Sequence, residues 1–320
     1  MKPFLVNIGS LRLIITLIGY PEMGESQIII IKDINTNYIY FSAVIDCYVH
    51  GSINKTIECL NNLGVKELNL FCWTHPDDDH SIGLSDIVDK FCTKKTRFVL
   101  PEGIYGQAND FVKYSVETQN FIDKINSLNT AHNYNVGSAT VFDGLSQSVE
   151  RMEFADLHTT VRFEIQALAP ISSLIRRRID KGLNKKNDIS IALLLHFGQF
   201  KFFLSGDIED QSIRLMNPIY FENLNYLKTP HHTSNSSAEL LTLFDEVFGG
   251  HLIGKTCTTV YQKHNLPSNS LINEYKKYTK SFYSTGIKDN NESYGIIEFQ
   301  YELQKNDPTE YLYGNAHKVF

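Results

Sequence analysis

The 320-residue sequence is poor in cysteine, has no long apolar run and carries no excess of positive charge. Its five cysteines are an odd number and form no CxxC pair, which favours a reducing, cytoplasmic setting in which thiols serve as small apolar side chains. No apolar run approaches the ~18 residues that span a bilayer. The run "LRLIITLIGY" is interrupted by Arg12 and no cleavage site follows it, so strands are expected there rather than a leader. A net charge of −6 gives no indication of nucleic-acid binding by the molecule as a whole.

What the sequence does contain is an ordinary globular balance, 42% hydrophobic and 21% charged. Short β-branched and aromatic runs bounded by turn residues predict strands in the first fifty residues. Residues 53–100 predict an alternation of helix and strand, and "ISIALLLHFGQFKFFLSGD" predicts a hairpin. We therefore expect an α/β fold in four layers (αββα), with two mixed sheets packed face to face and helices outside. No linker or repeat interrupts the chain, so one domain over residues 1–320 is predicted.

The segment "THPDDDH" concentrates charged and imidazole side chains directly after a predicted strand. It offers four metal-ligand types within six residues, namely His75, Asp77, Asp79 and His80. The ends of strands in α/β folds are where ligands gather, so metal binding is predicted. An N-cap cluster at the following helix is the structural alternative. An EF-hand loop is excluded, because Ile82 would occupy its glycine position.

Two further predicted strands end in potential ligands. Asp207 follows the apolar run "FFLSG", and His231 and His232 follow "NYLKTP". A lone aspartate after glycine is usually a turn residue, and a histidine pair is more often part of a polar loop. With the first motif, however, three strand ends now present the histidines and the carboxylate that a pair of ions requires.

These motifs, taken in order, resemble the metallo-β-lactamase-fold hydrolases. "THPDDDH" resembles the H-x-[HD]-x-D-H signature of that superfamily. The succession of this loop, Asn187 and Ser190, "LSGDI" and "KTPHHTS" is similar to the soluble domain of ComEC-type competence proteins and its stand-alone relatives. The resemblance spans roughly residues 13–299. It implies the fold stated above and a site for two divalent metal ions.

The resemblance also implies a role for each matched residue. His75, Asp77, Asp79 and His80 would be ligands, Asp207 would bridge the two ions, and one of His231 and His232 would be a ligand of the second ion. Asp46, in "AVIDC", would be a buried carboxylate that orients the loop. Asn187 and Ser190 would support the ligands rather than touch the ions. No motif around His132, His158 or His196 matches a further histidine ligand of the superfamily.

The composition of the site leaves the metal open between zinc and manganese, with iron a further candidate. Three aspartates and about three histidines make an oxygen-rich site that favours manganese, whereas the resemblance favours zinc. Two ions about 3.5–4 Å apart would activate a bridging water for attack. Asp79 would orient that nucleophile or carry the proton to the leaving group. His264, in "QKHNLP", is a candidate proton donor or else a surface histidine.

The stretch "RRRIDKGLNKK" sets six cations against Asp180. Such a run is usually a solvated loop, but it leads directly to Asn187 and Ser190 and so predicts a positive rim at the site. A phosphodiester substrate would contact that rim. The candidate substrate-binding residues are Arg177, Arg178, Lys185 and Lys186.

We therefore expect a phosphodiesterase or nuclease whose substrate is a nucleic acid or nucleotide. The rival enzymatic interpretation is hydrolysis of a lactone, thioester or β-lactam. A non-enzymatic interpretation is a metal-binding subunit with a protein partner in a larger defence or DNA-handling complex.

Overall fold

Two mixed β-sheets and their flanking helices make up the protein. The structure is a computed structural model, and it describes residues 3–102, 104, 114–130, 134–181, 186–247, 249–288 and 294–320. Its strands are β1 (Phe4–Leu5), β2 (Leu11–Gly19), β3 (Glu25–Asp33), β4 (Ile39–Ile45), β5 (Leu70–Cys72), β6 (Arg97–Pro101), β7 (Asn135–Ala139), β8 (Gln147–Ala155), β9 (Thr160–Ala169), β10 (Ala192–Phe197), β11 (Phe200–Leu204), β12 (Tyr226–Lys228), β13 (Lys255–Thr258), β14 (Phe282–Ser284), β15 (Gly295–Glu302), β16 (Thr309–Gly314) and β17 (His317–Lys318). Its helices are α1 (Lys55–Asn62), α2 (Asp78–Ser81), α3 (Leu84–Phe91), α4 (Val116–Thr130), α5 (Ser172–Lys181), α6 (Asp210–Ile213), α7 (Glu239–Val247) and α8 (Asn269–Tyr275).

Each of the two sheets contains a run of antiparallel strands next to a run of parallel strands, and in the second sheet a short strand is added at either edge. The first sheet has the order β16-β15-β2-β3-β4-β5-β6-β7, and the second has β1-β8-β9-β10-β11-β12-β13-β14-β17. In the first sheet β4, β5 and β6 are parallel, and in the second β11, β12 and β13 are parallel. The carboxyl ends of these strands therefore lie at one end of each sheet, where the connecting loops gather.

The hydrophobic core has three layers that follow from strand periodicity. On β2, Leu13 and Leu17 face the other sheet, whereas Ile14 and Ile18 face the helices. The central layer is formed by side chains from both sheets, including Phe163 of β9. Helices α1, α3 and α4 cover the outside of the first sheet, and α5, α7 and α8 contribute to the layer outside the second. The expected two-sheet sandwich with outer helices is thus observed.

Several local predictions are confirmed and one is wrong. The predicted hairpin is formed by β10 and β11, which pair from Leu193–Leu204 to Phe197–Phe200. The helix and strand alternation over residues 53–100 is present as α1, β5, α2, α3 and β6. The basic stretch is not a loop at its start, because Ser172–Lys181 forms a helix. Burial of Leu174 and Ile175 against the two outer layers explains this, since one apolar face suffices to hold a basic helix. No described helix combines the length and apolarity needed to cross a membrane.

Candidate metal centre

The candidate centre lies where the carboxyl ends of the parallel strands of both sheets meet. Asp46 follows β4, the loop from His75 to His80 follows β5, Asp207 follows β11, and His232 follows β12. A hydrogen bond from the Ile191 N–H to the Thr74 carbonyl, 3.0 Å long, ties the two sheets together at this point. The strand order therefore brings to one place residues that lie up to 186 positions apart in the chain.

The Asp207 carboxylate is at the middle of the cluster. Its Oδ2 lies 3.4 Å from Nε2 of His232, 3.5 Å from Nε2 of His80 and 3.9 Å from Nε2 of His75. Asp79 Oδ2 lies 3.5 Å from Nε2 of His80 and 3.1 Å from Nε2 of His232. His75 Nε2 also lies 3.5 Å from Asp77 Oδ2. Ligands about 2.0–2.2 Å from a tetrahedral ion are separated by about 3.3–3.5 Å, so these spacings suit a shared cation.

Hydrogen bonds orient the three buried histidines so that each presents Nε2 to Asp207. Nδ1 of His80 lies 2.8 Å from Oδ2 of Asp46, and a carboxylate can only accept there. Nδ1 of His75 lies 3.0 Å from the Thr74 hydroxyl, which itself donates to Asp46. Asp46 thus sets both rings, with a proton on each Nδ1, so that each Nε2 is the nitrogen left to bind a cation.

Several buried polar atoms of the cluster residues lack hydrogen-bond partners. Nε2 of His75, Nε2 of His80 and Oδ1 of Asp207 are buried and have no hydrogen-bond partner among the described residues. Buried polar atoms are normally paired, because an unpaired one costs about 1–3 kcal/mol. Three such atoms from residues at two strand ends, all imidazole or carboxylate, form a donor set that fits a divalent metal ion.

Charge in the cluster supports the same conclusion. The carboxylates of Glu25, Asp46, Asp79 and Asp207 are 0%, 1%, 3% and 3% exposed, and the ammonium of Lys228, also buried, stands against them. A buried carboxylate without a compensating charge costs several kcal/mol. A cation is needed to balance this excess, and a metal held by these oxygens and nitrogens would supply it.

Comparisons with known proteins add little to this geometry. The sequence matches no protein-family model and no curated protein. Among solved structures, a crystal structure from Parabacteroides distasonis named "Putative metal-dependent hydrolase" aligns over 81% of this chain and 93% of its own, with 12% sequence identity and a TM-score of 0.38. That TM-score is too low to establish a common fold, and no conclusion below depends on it.

Protonation of the cluster shows how strongly its residues interact. Burial would lower the pKa of His232, but Asp207 and Asp79 raise it to about 9. Burial likewise opposes the effect of Asp207 and Asp79 on His80, whose pKa nevertheless lies well above its usual value. Burial would raise the pKa of Asp207, yet the two imidazoliums hold it well below its usual range. Without a metal, protons on the histidines therefore carry the positive charge that the carboxylates require.

The two histidines of the "PHH" loop occupy different positions. His232 is buried, whereas His231 is partly exposed, and Nε2 of His231 lies 4.0 Å from Oδ2 of Asp207. Nδ1 of His231 contacts Glu209 at 3.3 Å and the Ser236 hydroxyl at 2.9 Å. The geometry thus favours His232 as the ligand that shares an ion with Asp79 and His80, and it places His231 at the rim.

Several non-glycine residues of the site have left-handed backbone conformations. His231, His232 and Thr233 have φ values of 47°, 51° and 61°, and Asp46 has 58°. Left-handed non-glycine residues cost of order 1–3 kcal/mol each and persist only where the surroundings enforce them. Gly206 is also left-handed, and a Cβ there would lie 2.6 Å from the Ile191 carbonyl oxygen. Only glycine fits directly before Asp207.

The remaining predicted site residues lie around this cluster. Ser190 accepts a 2.9 Å hydrogen bond from the Asp207 N–H, and Asn187 donates to Glu209 at 3.2 Å. Lys186 contacts Oδ1 of Asp77 at 2.7 Å. Arg177 is exposed on α5. The side chain of Arg178, and all of Lys185 and His132, lie outside the described residues.

Three histidines that the sequence raised as candidates make no described contact with the cluster. His264 is exposed, with its ring 4.8 Å from that of Tyr261. Tyr261 instead lies between His264 and the site, because its ring is 5.3 Å from that of His232. His196 lies on β10 opposite Glu164, and His158 lies in an exposed turn.

Sequence reasoning missed four residues that contact the cluster. Thr74 and Thr259 bind the Nδ1 atoms of His75 and His232, and Glu25 and Lys228 form an ion pair behind them. Glu25, His80, Asp207 and His232 each place one potential ligand atom within 4.8 Å of the others. Glu25, however, faces Nδ1 of His232 at 3.5 Å rather than Nε2. Oε2 of Glu25 is therefore placed to support His232. The start of a buried strand gives no sequence signal for such a role.

Proposed function

We propose that this protein is a metal-dependent hydrolase with the metallo-β-lactamase fold, acting on phosphodiesters. The observation that carries the proposal is the convergence of His75, His80, His232 and Asp79 on the single buried carboxylate of Asp207. The two-sheet sandwich, with the cluster at the meeting edges of both sheets, supports the fold assignment.

The cluster contains two groups of residues in mutual contact, and the histidines of both groups face Oδ2 of Asp207. His75 and Asp77 form one group, and Asp79, His80 and His232 form the other, so that Asp207 would be shared between two ions. Bound divalent ions would lower the pKa of a water and polarise the scissile bond. Nitrogen and oxygen donors in this ratio suit zinc or manganese.

The other predicted residues would orient the nucleophile or bind the substrate. Asp79 contacts both His80 and His232, so its carboxylate is fixed where it can hold a proton beside the nucleophile. Lys186 is partly exposed and lies with its Nζ 5.6 Å from the centre of the Tyr114 ring. Lys186 offers positive charge beside Asp77, and Tyr114 offers an aromatic face, which together suit a phosphate and an attached base or aryl group. Arg177, exposed on α5, would add positive charge. His264 would act, if at all, through Tyr261.

The decisive experiment measures metal content and turnover on one purified sample. We expect about two zinc or manganese ions per chain and chelator-sensitive cleavage of an oligonucleotide or of bis(p-nitrophenyl) phosphate. Nitrocefin, a lactone and a thioester are assayed in parallel. Turnover confined to those acyl substrates would reject the phosphodiester assignment and retain the hydrolase. Full metal occupancy without turnover on any substrate, together with a stoichiometric protein partner, would favour the non-enzymatic interpretation.

A further inference from the structure

An ion pair between Glu25 and Lys228 lies buried directly behind the candidate metal centre. Nζ of Lys228 is 2.7 Å from Oε2 of Glu25, and both residues are 0% exposed. Glu25 begins β3 in the first sheet and Lys228 ends β12 in the second, so the pair joins the two sheets. Replacing a buried ion pair by apolar groups is often neutral or stabilising. Stability alone therefore does not account for this pair.

Lys228 acts on the oxygen of Asp207 that does not face the histidines. Its Nζ lies 3.7 Å from Oδ1 of Asp207 and 3.5 Å from the Gly206 carbonyl oxygen. Oδ2 of the same carboxylate faces the Nε2 atoms of His80 and His232. Attraction to the ammonium thus opposes rotation of the carboxylate and keeps Oδ2 directed to the histidines.

Glu25 acts on His232 through one hydroxyl group. Thr259 donates its O–H to Oε2 of Glu25 at 2.7 Å. That hydroxyl has a single proton, so its contact of 2.6 Å with Nδ1 of His232 is one in which it accepts. His232 therefore carries a proton on Nδ1, so Nε2, which faces Asp79 and Asp207, is the nitrogen that would bind a cation. The Thr74 hydroxyl donates to Asp46 and therefore accepts from Nδ1 of His75, so the tautomer of His75 is set in the same way.

We infer that Glu25, Lys228 and Thr259 are positioning residues that prepare Asp207 and His232 to bind a divalent cation, an inference that rests on the proposed function. Lys228 fixes the carboxylate, Thr259 fixes the imidazole tautomer, and Glu25 holds both of them. Support of this kind typically changes metal affinity by about 10–100-fold.

The first test compares zinc and cobalt binding by the wild-type chain and the double variant Glu25→Gln/Lys228→Met. Both substitutions preserve side-chain length, and they remove two opposite charges together, so the net charge of the pair stays zero. We expect the Kd for either metal to rise about 10–100-fold and the visible absorption bands of bound Co²⁺ to change. A folded double variant with wild-type Kd and wild-type cobalt spectrum would overturn the inference.

The second test does not depend on folding of the double variant. Thr259→Val removes the hydroxyl that sets His232, and Thr259→Ser restores it. Thr256→Val is the matched control, because Thr256 is a buried threonine of β13 whose hydroxyl donates to the Thr279 hydroxyl at 2.8 Å. We expect weaker metal binding in Thr259→Val alone and recovery in Thr259→Ser. Equal metal affinity of the two valine variants would overturn the inference.

These results separate the inference from the proposed function. A wild-type chain that binds no zinc, cobalt or manganese overturns both. A wild-type chain that binds and hydrolyses normally, while the variants bind equally well, overturns only the roles of Glu25, Lys228 and Thr259.

Discussion

Asp46 and His80 are joined by a buried hydrogen bond of 2.8 Å that leaves Nε2 of His80 facing Asp207 at 3.5 Å. The same carboxylate accepts from the backbone N–H of Thr74 at 2.7 Å and from its hydroxyl at 2.6 Å. One aspartate therefore fixes the loop that carries four candidate ligands as well as the tautomer of two of their rings.

Asp46→Asn should weaken metal binding by about 10–100-fold while leaving the chain folded. Asparagine tolerates the left-handed backbone of this position, but its amide cannot accept from Thr74 and His80 as a carboxylate does. Competition with a zinc-sensitive dye measures the change. Asp33→Asn is the control, since Asp33 is a buried acid that caps a turn at the C-terminal end of β3. Similar metal affinities in both variants would contradict the role assigned to Asp46.

Removal of metal should lower thermal stability. A ligand bound only by the folded state stabilises it by about 2.7 kcal/mol at a free concentration of 100 Kd. We expect a chelator to lower Tm by several degrees and added zinc or manganese to restore it. Trp73, the sole tryptophan, is buried one residue before Thr74 and bonds Ser81 at 3.1 Å, so its emission should change on metal binding as well. Identical melting curves with and without chelator would count against a metal at this site.

Asp207→Asn should abolish hydrolysis without unfolding the chain. The asparagine side chain carries no negative charge, so it cannot offer one carboxylate oxygen to the histidines and the other to Lys228. Glu164→Gln makes the same chemical change at a buried acid of β9, which is paired with Arg162. We expect its turnover to equal that of wild type. Comparable turnover in the two variants, measured on bis(p-nitrophenyl) phosphate, would refute a central role for Asp207.

Arg177→Gln should raise the KM for a single-stranded oligonucleotide and leave kcat unchanged, because it removes only substrate attraction. The slope of log KM against log salt should fall by about one. Lys305→Gln is the control. Lys305 is an exposed cation that follows β15, and the C-terminal end of β15 lies at the end of the sheet away from the site. An unchanged salt slope in Arg177→Gln would remove this residue from the substrate site.

The cysteine thiols should be slow to react in the native protein. Burial raises the pKa of Cys47, Cys59 and Cys92 to about 12, and it also raises that of Cys72 and Cys257 well above the usual value of a thiol. Only a small fraction is thiolate at pH 8, and the thiolate is the reactive form. A colorimetric thiol assay at pH 8 should therefore find five groups in denaturant and few without it. Rapid native reaction of several thiols would show that the core opens readily.

The strands and the ligand loops were predictable because each depends on neighbours in the chain. The alternation of apolar residues in β2 and β3, and the acidic loop after β5, can be recognised within ten residues. The convergence of Asp207 with His75 was expected only from the order of the motifs and their resemblance to a family. The structure supplies the distances that make it a cluster.

The supporting residues could not be predicted for a physical reason. Thr74 and Thr259 act through single hydroxyls, and Glu25 is paired with a lysine 203 positions away. No periodicity or spacing encodes such contacts. The helix Ser172–Lys181 was missed because its three arginines suggested solvent, whereas Leu174 and Ile175 are sufficient to anchor it.

The division of the ligands between the two sheets determines when the centre can exist during synthesis. A ribosome-bound chain ending before Gly206 would already carry His75, Asp79 and His80, but neither the carboxylate nor the imidazole that complete their surroundings. An ion could be captured tightly only after both halves of the sandwich have closed on each other. Metal uptake would then report the last step of assembly rather than guide the first.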